Sequence, residues 1–247
     1  MTDELVALLM RNGFVAPEEE AAELRAASRG NLDELVARRL TGEPLAWITG
    51  SVEFCGRTLR IAPGVYVPRW HTESVAWRAV ERMPRGGRGL DLCTGSGAIA
   101  AVLMAERDAR MVATDLDPKC VACARVNGVD AHVADLFEGV EGPFDVVTAV
   151  VPYVPTADLP LLQRDTFTFE TPLAYDGGAD GLDLARRAVE GARRVLRPGG
   201  ALVLELGGRQ PETLALDGFT DIRTIRDEEG DPRGLEATAS TPSPTRQ

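Results

Sequence analysis

Lysine is almost missing from this chain: Lys119 stands alone, and the other basic residues are all arginine. Against 27 basic residues stand 38 acids, which gives a formal net charge of -11 and an isoelectric point near 4.8. Sequence-independent nucleic-acid binding needs a cationic surface, so no nucleic-acid partner is expected. Long apolar runs are also missing, and none approaches the roughly 18 residues of a membrane helix, so no membrane is expected. The opening stretch, MTDELVALLMRNGF, carries acids where a secretory leader carries bases, so a cytoplasmic location is expected. Cysteine is scarce: Cys55, Cys93, Cys120 and Cys123. The last two form a C-x-x-C, but no second pair completes a zinc set, and the stretch DPKCVACARVNG reads as helix. Buried thiols and no metal are expected there.

The chain has 247 residues, 44% of them hydrophobic, with a mean hydropathy of -0.09. That suits one large domain with a smaller appendage. Residues 1–50 read as helical, with Leu5, Leu8, Leu9 and Phe14 spaced for one face and Leu32, Leu35, Val36 and Leu40 for another. Residues 51–70 alternate apolar and polar around Gly56 and read as a β-hairpin and linker. Residues 71–240 open with a helix over 72–82 and then alternate strand and helix. Two final strands, FTDIRTIRD and GLEATAS, form an antiparallel pair around EEGDPRG. The strands are continuous apolar runs, as in a parallel sheet covered on both faces. Residues 241–247 read as a tail.

The first strand of this region runs into Asp91-Leu-Cys-Thr-Gly-Ser-Gly-Ala-Ile-Ala100. A glycine turn between strand and helix is where doubly wound sheets bind nucleotides. Gly95-x-Gly97-x-x-Ala100 fits a dinucleotide fingerprint as well, so the glycines alone decide nothing. Asp91 discriminates: a carboxylate at this strand end repels a pyrophosphate held at the helix N-terminus. S-adenosylmethionine has no phosphate and offers an ammonium and a sulfonium instead. Asp115 ends the second strand, where an acid accepts from ribose hydroxyls. Asp135 ends the third and is placed for the adenine amino group, with Leu136 and Phe137 available to pack on the ring. The expected cofactor is S-adenosyl-L-methionine. Its expected contacts are Asp91, Cys93, Thr94, Gly95, Ser96, Gly97, Asp115, Leu116, Asp135, Leu136 and Val150. Each acid taken singly also reads as a helix cap or turn residue.

From about Thr41 to Gln210 the chain resembles the HemK/PrmC family, protein-(glutamine-N5) methyltransferases that modify the Gly-Gly-Gln loop of peptide release factors. GEPLAWITGSVEFCGRTLRIAPGVYVPRWHTE is similar to the family's interdomain hairpin, and DLCTGSGAIA to its cofactor loop DLGTGSGAIA. DLPLLQRDTFTFETPLAYDGGADGLD and ALVLELGGRQ match later stretches in order. The resemblance implies an α/β class I methyltransferase: a Rossmann-like, mostly parallel sheet of seven strands with the last antiparallel, and a small helical N-terminal domain.

The family's catalytic motif is Asn-Pro-Pro-Tyr, and this chain has Val150-Val151-Pro152-Tyr153. The family's PRPETE is here Pro68-Arg69-Trp70-His71-Thr72-Glu73, Cys93 replaces a glycine, and the later Glu-Pro is Glu170-Thr171. An amide nitrogen is a poor nucleophile because its lone pair is delocalised. In the family the asparagine and a backbone carbonyl grip the substrate amide in line with the methyl donor, which is positioning plus preorganised electrostatics. Val150 brings neither donor nor acceptor. The acceptor is therefore expected to be an amine, guanidine or carboxylate of a peptide, protein or small-molecule metabolite. Glutamine methylation of release factors, or SAM binding without catalysis, stand as alternatives. Pro152, Tyr153, Val150, Val151, His71, Glu73 and Glu170 are the catalytic-side candidates, with Trp70 and Phe167 or Phe169 as further lining. Monomer and dimer are both compatible with the sequence.

Overall fold

The computed structural model describes residues 3–162 and 166–241. The expected tail from residue 242 onward, and the side chain of Phe167, lie outside the described residues. Four short helices come first: α1 (Glu4–Arg11), α2 (Pro17–Ala27), α3 (Leu32–Leu40) and α4 (Leu45–Thr49). Proline opens α2 and three glutamates fill its first turn, where free N–H groups favour negative charge. Leu9, Leu24, Leu35 and Ile48 from the four helices meet in a buried cluster of their own.

A hairpin follows, β1 (Ser51–Phe54) and β2 (Arg57–Arg60), paired antiparallel with Phe54 opposite Arg57. Its two turn residues, Cys55 and Gly56, have φ of 49° and 69°, the backbone that tight hairpins require. The Glu73 carboxylate accepts from the Cys55 N–H at 2.9 Å and ties the hairpin to α5 (Thr72–Arg82).

The remaining elements are β3 (Arg88–Leu92), α6 (Ala98–Arg107), β4 (Arg110–Asp115), α7 (Pro118–Val126), β5 (Asp130–Val133), β6 (Phe144–Ala149), α8 (Thr166–Phe169), α9 (Asp183–Val195), β7 (Leu196–Glu205), α10 (Gln210–Thr213), β8 (Phe219–Arg226) and β9 (Pro232–Ala239). Seven strands make one sheet in the order β5-β4-β3-β6-β7-β9-β8. β3 to β7 are mutually parallel, and β9 runs antiparallel to both β7 and β8. Strand alternation sends side chains to two layers: Val146 joins the cluster under α5 and α6, and Val147 the cluster under α9.

Two boundaries differ from the sequence expectation. The stretch GLDLARRAVEGARRVLRPGG reads as one helix stopped by Pro198-Gly199-Gly200, but α9 ends at Val195 and Leu196 is extended at ψ 142°. A proline disfavours helical backbone just before it, and the chain enters β7 with a register break between the Leu196 and Ala201 pairings. The apolar run FDVVTAVV reads as a strand reaching Val151, but β6 ends at Ala149, whose last ladder partners are Leu92 and Leu204. Among the described residues, no helix is long and apolar enough to cross a membrane.

Sequence order reverses at β3, which has β4 on one side and β6 on the other. Open α/β sheets bind ligands in the crevice beyond the carboxyl ends of such strands.

Candidate active site

A cleft of about 350 Å³ opens at that reversal point. Its first half is built by β3, β4 and the turns after them. Asp91 is 2% exposed and accepts from the hydroxyls of Thr94 and Thr148, both at 2.6 Å. Burial pushes its carboxyl up to about 6, against the downward pull of those two hydroxyls. Asp115 accepts from the N–H of Gly95 and of Asp117, each at 2.9 Å, and burial raises it as well. Asp115 thereby fixes the glycine turn, and it also bonds the Cys120 thiol. A Cβ on Gly95 would meet nothing within 4 Å, so a ligand can approach the backbone there. The Ser96 hydroxyl is buried and has no partner among the described residues. Cys93 takes φ 51°, a left-handed backbone that suits glycine, and burial raises its thiol.

The second half is built by residues 150–154, β7 and the segment after Thr171. Val150 and Val151 leave β6 on opposite faces: Val150 packs toward the α5 and α6 layer, and Val151, 1% exposed, toward α9. Gln210 holds the loop that follows. Its Nε2 donates to the Tyr153 carbonyl at 2.8 Å while its Oε1 accepts from the Gly207 N–H at 3.0 Å. Val154 donates its N–H to the Tyr175 carbonyl and accepts from the Gly177 N–H, both at 2.8 Å, and a Cβ on Gly177 would stand 2.7 Å from the Pro152 carbonyl oxygen. That close approach is why glycine sits there. Tyr153 donates its hydroxyl to Glu205 at 3.3 Å, and burial followed by the nearby Glu205 charge raises its phenol. His71 Nε2 lies 3.7 Å from the same carboxylate.

The walls carry five carboxylates, those of Asp91, Asp115, Asp117, Asp135 and Glu205, and among the described residues no lysine or arginine lines them. An anionic, pyrophosphate-bearing cofactor is repelled by such a wall; a cationic one is attracted.

Comparison with known proteins agrees. The chain is 40% identical over 218 residues to the release factor glutamine methyltransferase of Geobacter sulfurreducens, covering 83% of this chain and 75% of that protein. It is 36% identical over 236 residues to the one of Neisseria gonorrhoeae, covering 90% and 83%. The chain belongs to the release factor glutamine methyltransferase family. Among solved structures, the E. cuniculi Mtq2–Trm112 complex, responsible for methylation of the eRF1 translation termination factor, matches with a TM-score of 0.52 at 25% identity over 72% of this chain and 99% of that one. The Thermus thermophilus 16S rRNA N2 G1207 methyltransferase, solved with AdoMet and guanosine, shares the fold with a TM-score of 0.57 at 22% identity, covering 76% and 49%. No family model matches the chain.

This member of the release factor glutamine methyltransferase family is a SAM-dependent methyltransferase of HemK-like type, with the class I fold. Its cofactor is S-adenosyl-L-methionine, and the first half of the cleft fits it. The open face over Gly95 admits the ligand, the unpartnered Ser96 hydroxyl can bond it, and the carboxylates suit its two cationic centres.

Of the expected cofactor residues, Asp91, Cys93, Thr94, Gly95, Ser96, Asp115, Leu116, Asp135, Leu136 and Val150 all line the cleft. Gly97 does not. It caps α6 at φ 79°, and a Cβ there would stand 2.9 Å from Val129. Asp135 also pairs with Arg187 at 2.8 Å. Phe137 packs on Gly191 of α9, where a Cβ would stand 2.1 Å from its ring, and not on the cleft. On the acceptor side, Val150, Val151, Pro152 and Tyr153 line the wall, while His71, Glu73 and Glu170 stand behind it. Glu73 serves the hairpin turn. Glu170 accepts from Arg69 at 3.2 Å and from the Tyr175 hydroxyl. Trp70 is 62% exposed beneath the Arg233 guanidinium, and Phe169 meets Trp47 edge-on at 6.3 Å between centroids.

Sequence reasoning missed Glu205, Tyr66, Thr72 and Tyr175, all on the wall. Glu205 had a signal: it is the one charge in the apolar run ALVLEL. Tyr66 and Tyr175 sit in linkers whose path only the fold defines, and Thr72 opens α5, whose placement under the cleft is likewise set by the fold.

Proposed function

We propose that this enzyme methylates a nitrogen other than an amide, an amine or guanidine, on a peptide or protein. Val150 carries this reading. It occupies the position where the family's motif has an asparagine, lines the cleft, and offers no side-chain group to grip an amide. A pocket built for a polar partner loses strongly when that partner goes unmatched. An amine that has passed its proton to solvent keeps its lone pair on nitrogen and needs no such grip. S-adenosylmethionine, when bound, supplies an electrophilic methyl whose bonding pair leaves with sulfur. What this chain provides is orientation: Pro152 and Tyr153 wall the acceptor channel, and Gln210 fixes the carbonyl of Tyr153. A peptide or protein acceptor is favoured by the relatives, whose named substrate is a release factor. A cytoplasmic setting is supported by the four cysteines, all free.

The family relation also favours a second reading, methylation of the release-factor glutamine, since identity reaches 40% over most of both chains. One experiment separates the two. Purified protein is incubated with SAM and a release factor, and peptides are mapped by mass spectrometry. The proposal expects little or no N5-methylglutamine from the wild type and at least a tenfold gain in Val150→Asn. Efficient glutamine methylation by the wild type would establish the second reading.

A further inference from the structure

Asn127 follows α7 and does not line the cleft, yet its carboxamide ties together two segments that do. Its Oδ1 accepts from the Arg60 N–H at 2.8 Å. Its Nδ2 donates to the carbonyls of Arg60 at 2.8 Å and of Ser96 at 2.9 Å. Both polar atoms are matched, and the opposite orientation of the amide would set its oxygen against two carbonyls. Ser96 belongs to the glycine turn and lines the cleft. Arg60 ends β2, at the start of the linker whose Gly64, Tyr66 and Pro68 form another part of the same wall.

The linker is pinned along the way from Arg60 to Tyr66. The Ile61 N–H donates to the Gly50 carbonyl and the Val65 N–H to the Ala62 carbonyl, both at 3.1 Å. The buried Trp47 indole N–H donates to the Val65 carbonyl at 2.9 Å. Ile61 and Val65 share one buried cluster with Trp47, Cys120 and Cys123, which gives the C-x-x-C its place. The Cys123 thiol donates to the same Arg60 carbonyl at 3.5 Å, and the Cys120 thiol bonds Asp115. Asp115 holds the glycine turn from its other side, accepting from the Gly95 N–H at 2.9 Å. Asn127 supplies the second fixed point of that turn, and it is the one that reaches the linker.

We infer that Asn127 is a positioning residue for the cofactor: it fixes the glycine turn and the interdomain linker in one register, so that the linker's cleft-facing residues close on the S-adenosylmethionine that the turn holds. A ligand that finds its contacts already in register loses less freedom on binding than one that must order them. Because Asn127 acts on the cofactor alone, its role holds for an amide and a non-amide acceptor alike. Motif spacing carries no trace of it, since Asn127 stands 31 positions from Ser96 and 67 from Arg60.

The test is S-adenosylhomocysteine binding to the full-length protein, measured by calorimetry well below the Tm of each variant. Asn127→Ala should bind at least about fivefold more weakly than wild type, as the loss of several hydrogen bonds allows. Asn127→Asp keeps an acceptor for the Arg60 N–H but cannot donate to either carbonyl, so it should also lose at least about fivefold. Tyr66→Ala removes a cleft-facing linker side chain and should cost at least about threefold. The double variant Asn127→Ala with Tyr66→Ala should bind no more than about twofold worse than the weaker single, because both remove the same closure. An Asn127 that only stiffens the fold would give losses that multiply. Any single variant that falls short of its limit overturns the inference, and so does a double variant that exceeds its own. If neither Asn127 variant folds, hydrogen exchange of the wild type decides. S-adenosylhomocysteine should slow the amides of Arg60 and Ile61, which do not line the cleft, by at least about fivefold, and a smaller change overturns the inference.

Discussion

Asp91, at the end of β3 on the cleft wall, bears on both stability and cofactor binding. Its carboxylate is buried among Thr94, Thr148 and the glycine turn, and burial raises it to about 6 from an ordinary value of 3.8. The folded chain therefore holds this proton more tightly than the unfolded chain. Below about pH 4 both states are protonated and Asp91 costs no stability; the cost grows through pH 4 to 6 and is complete above it. Asp91→Asn cannot ionise, so its stability should improve relative to wild type across that window, by up to about 3 kcal/mol. Urea unfolding at pH 4 and pH 7 measures this. Function runs the other way. The ionised carboxylate attracts the cationic cofactor, so wild-type affinity for SAM should fall as pH drops from 7 to 5, while Asp91→Asn binds weakly with a flat profile. Wild-type affinity that rises on acidification would exclude this role.

At the scale of elements, the acceptor loop is held from two sides. Gln210, at the start of the one-turn helix α10, bonds Tyr153 and Gly207 together, and the segment 175–178 pairs with Val154 and Thr156. Arg69 reaches Tyr66, Glu170 and Tyr175 and ties the interdomain linker to the same segment. Residues 150–156 thus keep their place although β6 has ended. Gln210→Ala leaves the half-buried Gly207 N–H and Tyr153 carbonyl short of partners, a loss of about 1 kcal/mol each. Because α10 lies on the acceptor side, S-adenosylhomocysteine affinity should stay within about threefold. Hydrogen exchange at Val154 and Gly177 should quicken by at least tenfold. Unchanged exchange would mean that the glycine contacts alone hold the loop. The sequence match at ALVLELGGRQ marked this strand end as part of the family pattern, but not that its glutamine reaches across 57 positions to Tyr153. Pairing at that distance is set by tertiary packing, which neither periodicity nor motif spacing encodes.

For the whole molecule, the sheet was legible because continuous apolar strands, Gly95 and the acids at three strand ends all answer to one requirement, a ligand crevice at the β3–β6 reversal. The acceptor wall was half legible. Val150 to Tyr153 were readable from a motif, whereas Tyr66 and Tyr175 reach the cleft only through the path of two linkers, and Thr72 only through the docking of α5. Charge was legible at the largest scale, and the structure gives it a place. The net charge of -11 is matched by a cleft whose wall carries five carboxylates and, among the described residues, no basic side chain. SAM and S-adenosylhomocysteine differ by a methyl and one positive charge, so the molecule's field should distinguish them. Raising salt from 50 to 500 mM shortens the screening length from above 10 Å to about 4 Å. Affinity for SAM should then fall several-fold more than affinity for S-adenosylhomocysteine, measured by calorimetry at fixed pH. A fully buried charge pair is screened little, so the part of the preference that survives at 500 mM reports Asp91 and its near neighbours, and the part that is lost reports the outer acid Asp117, since Asp135 is paired with Arg187. Identical salt responses of the two ligands would show that the wall's charge does not reach the sulfur position.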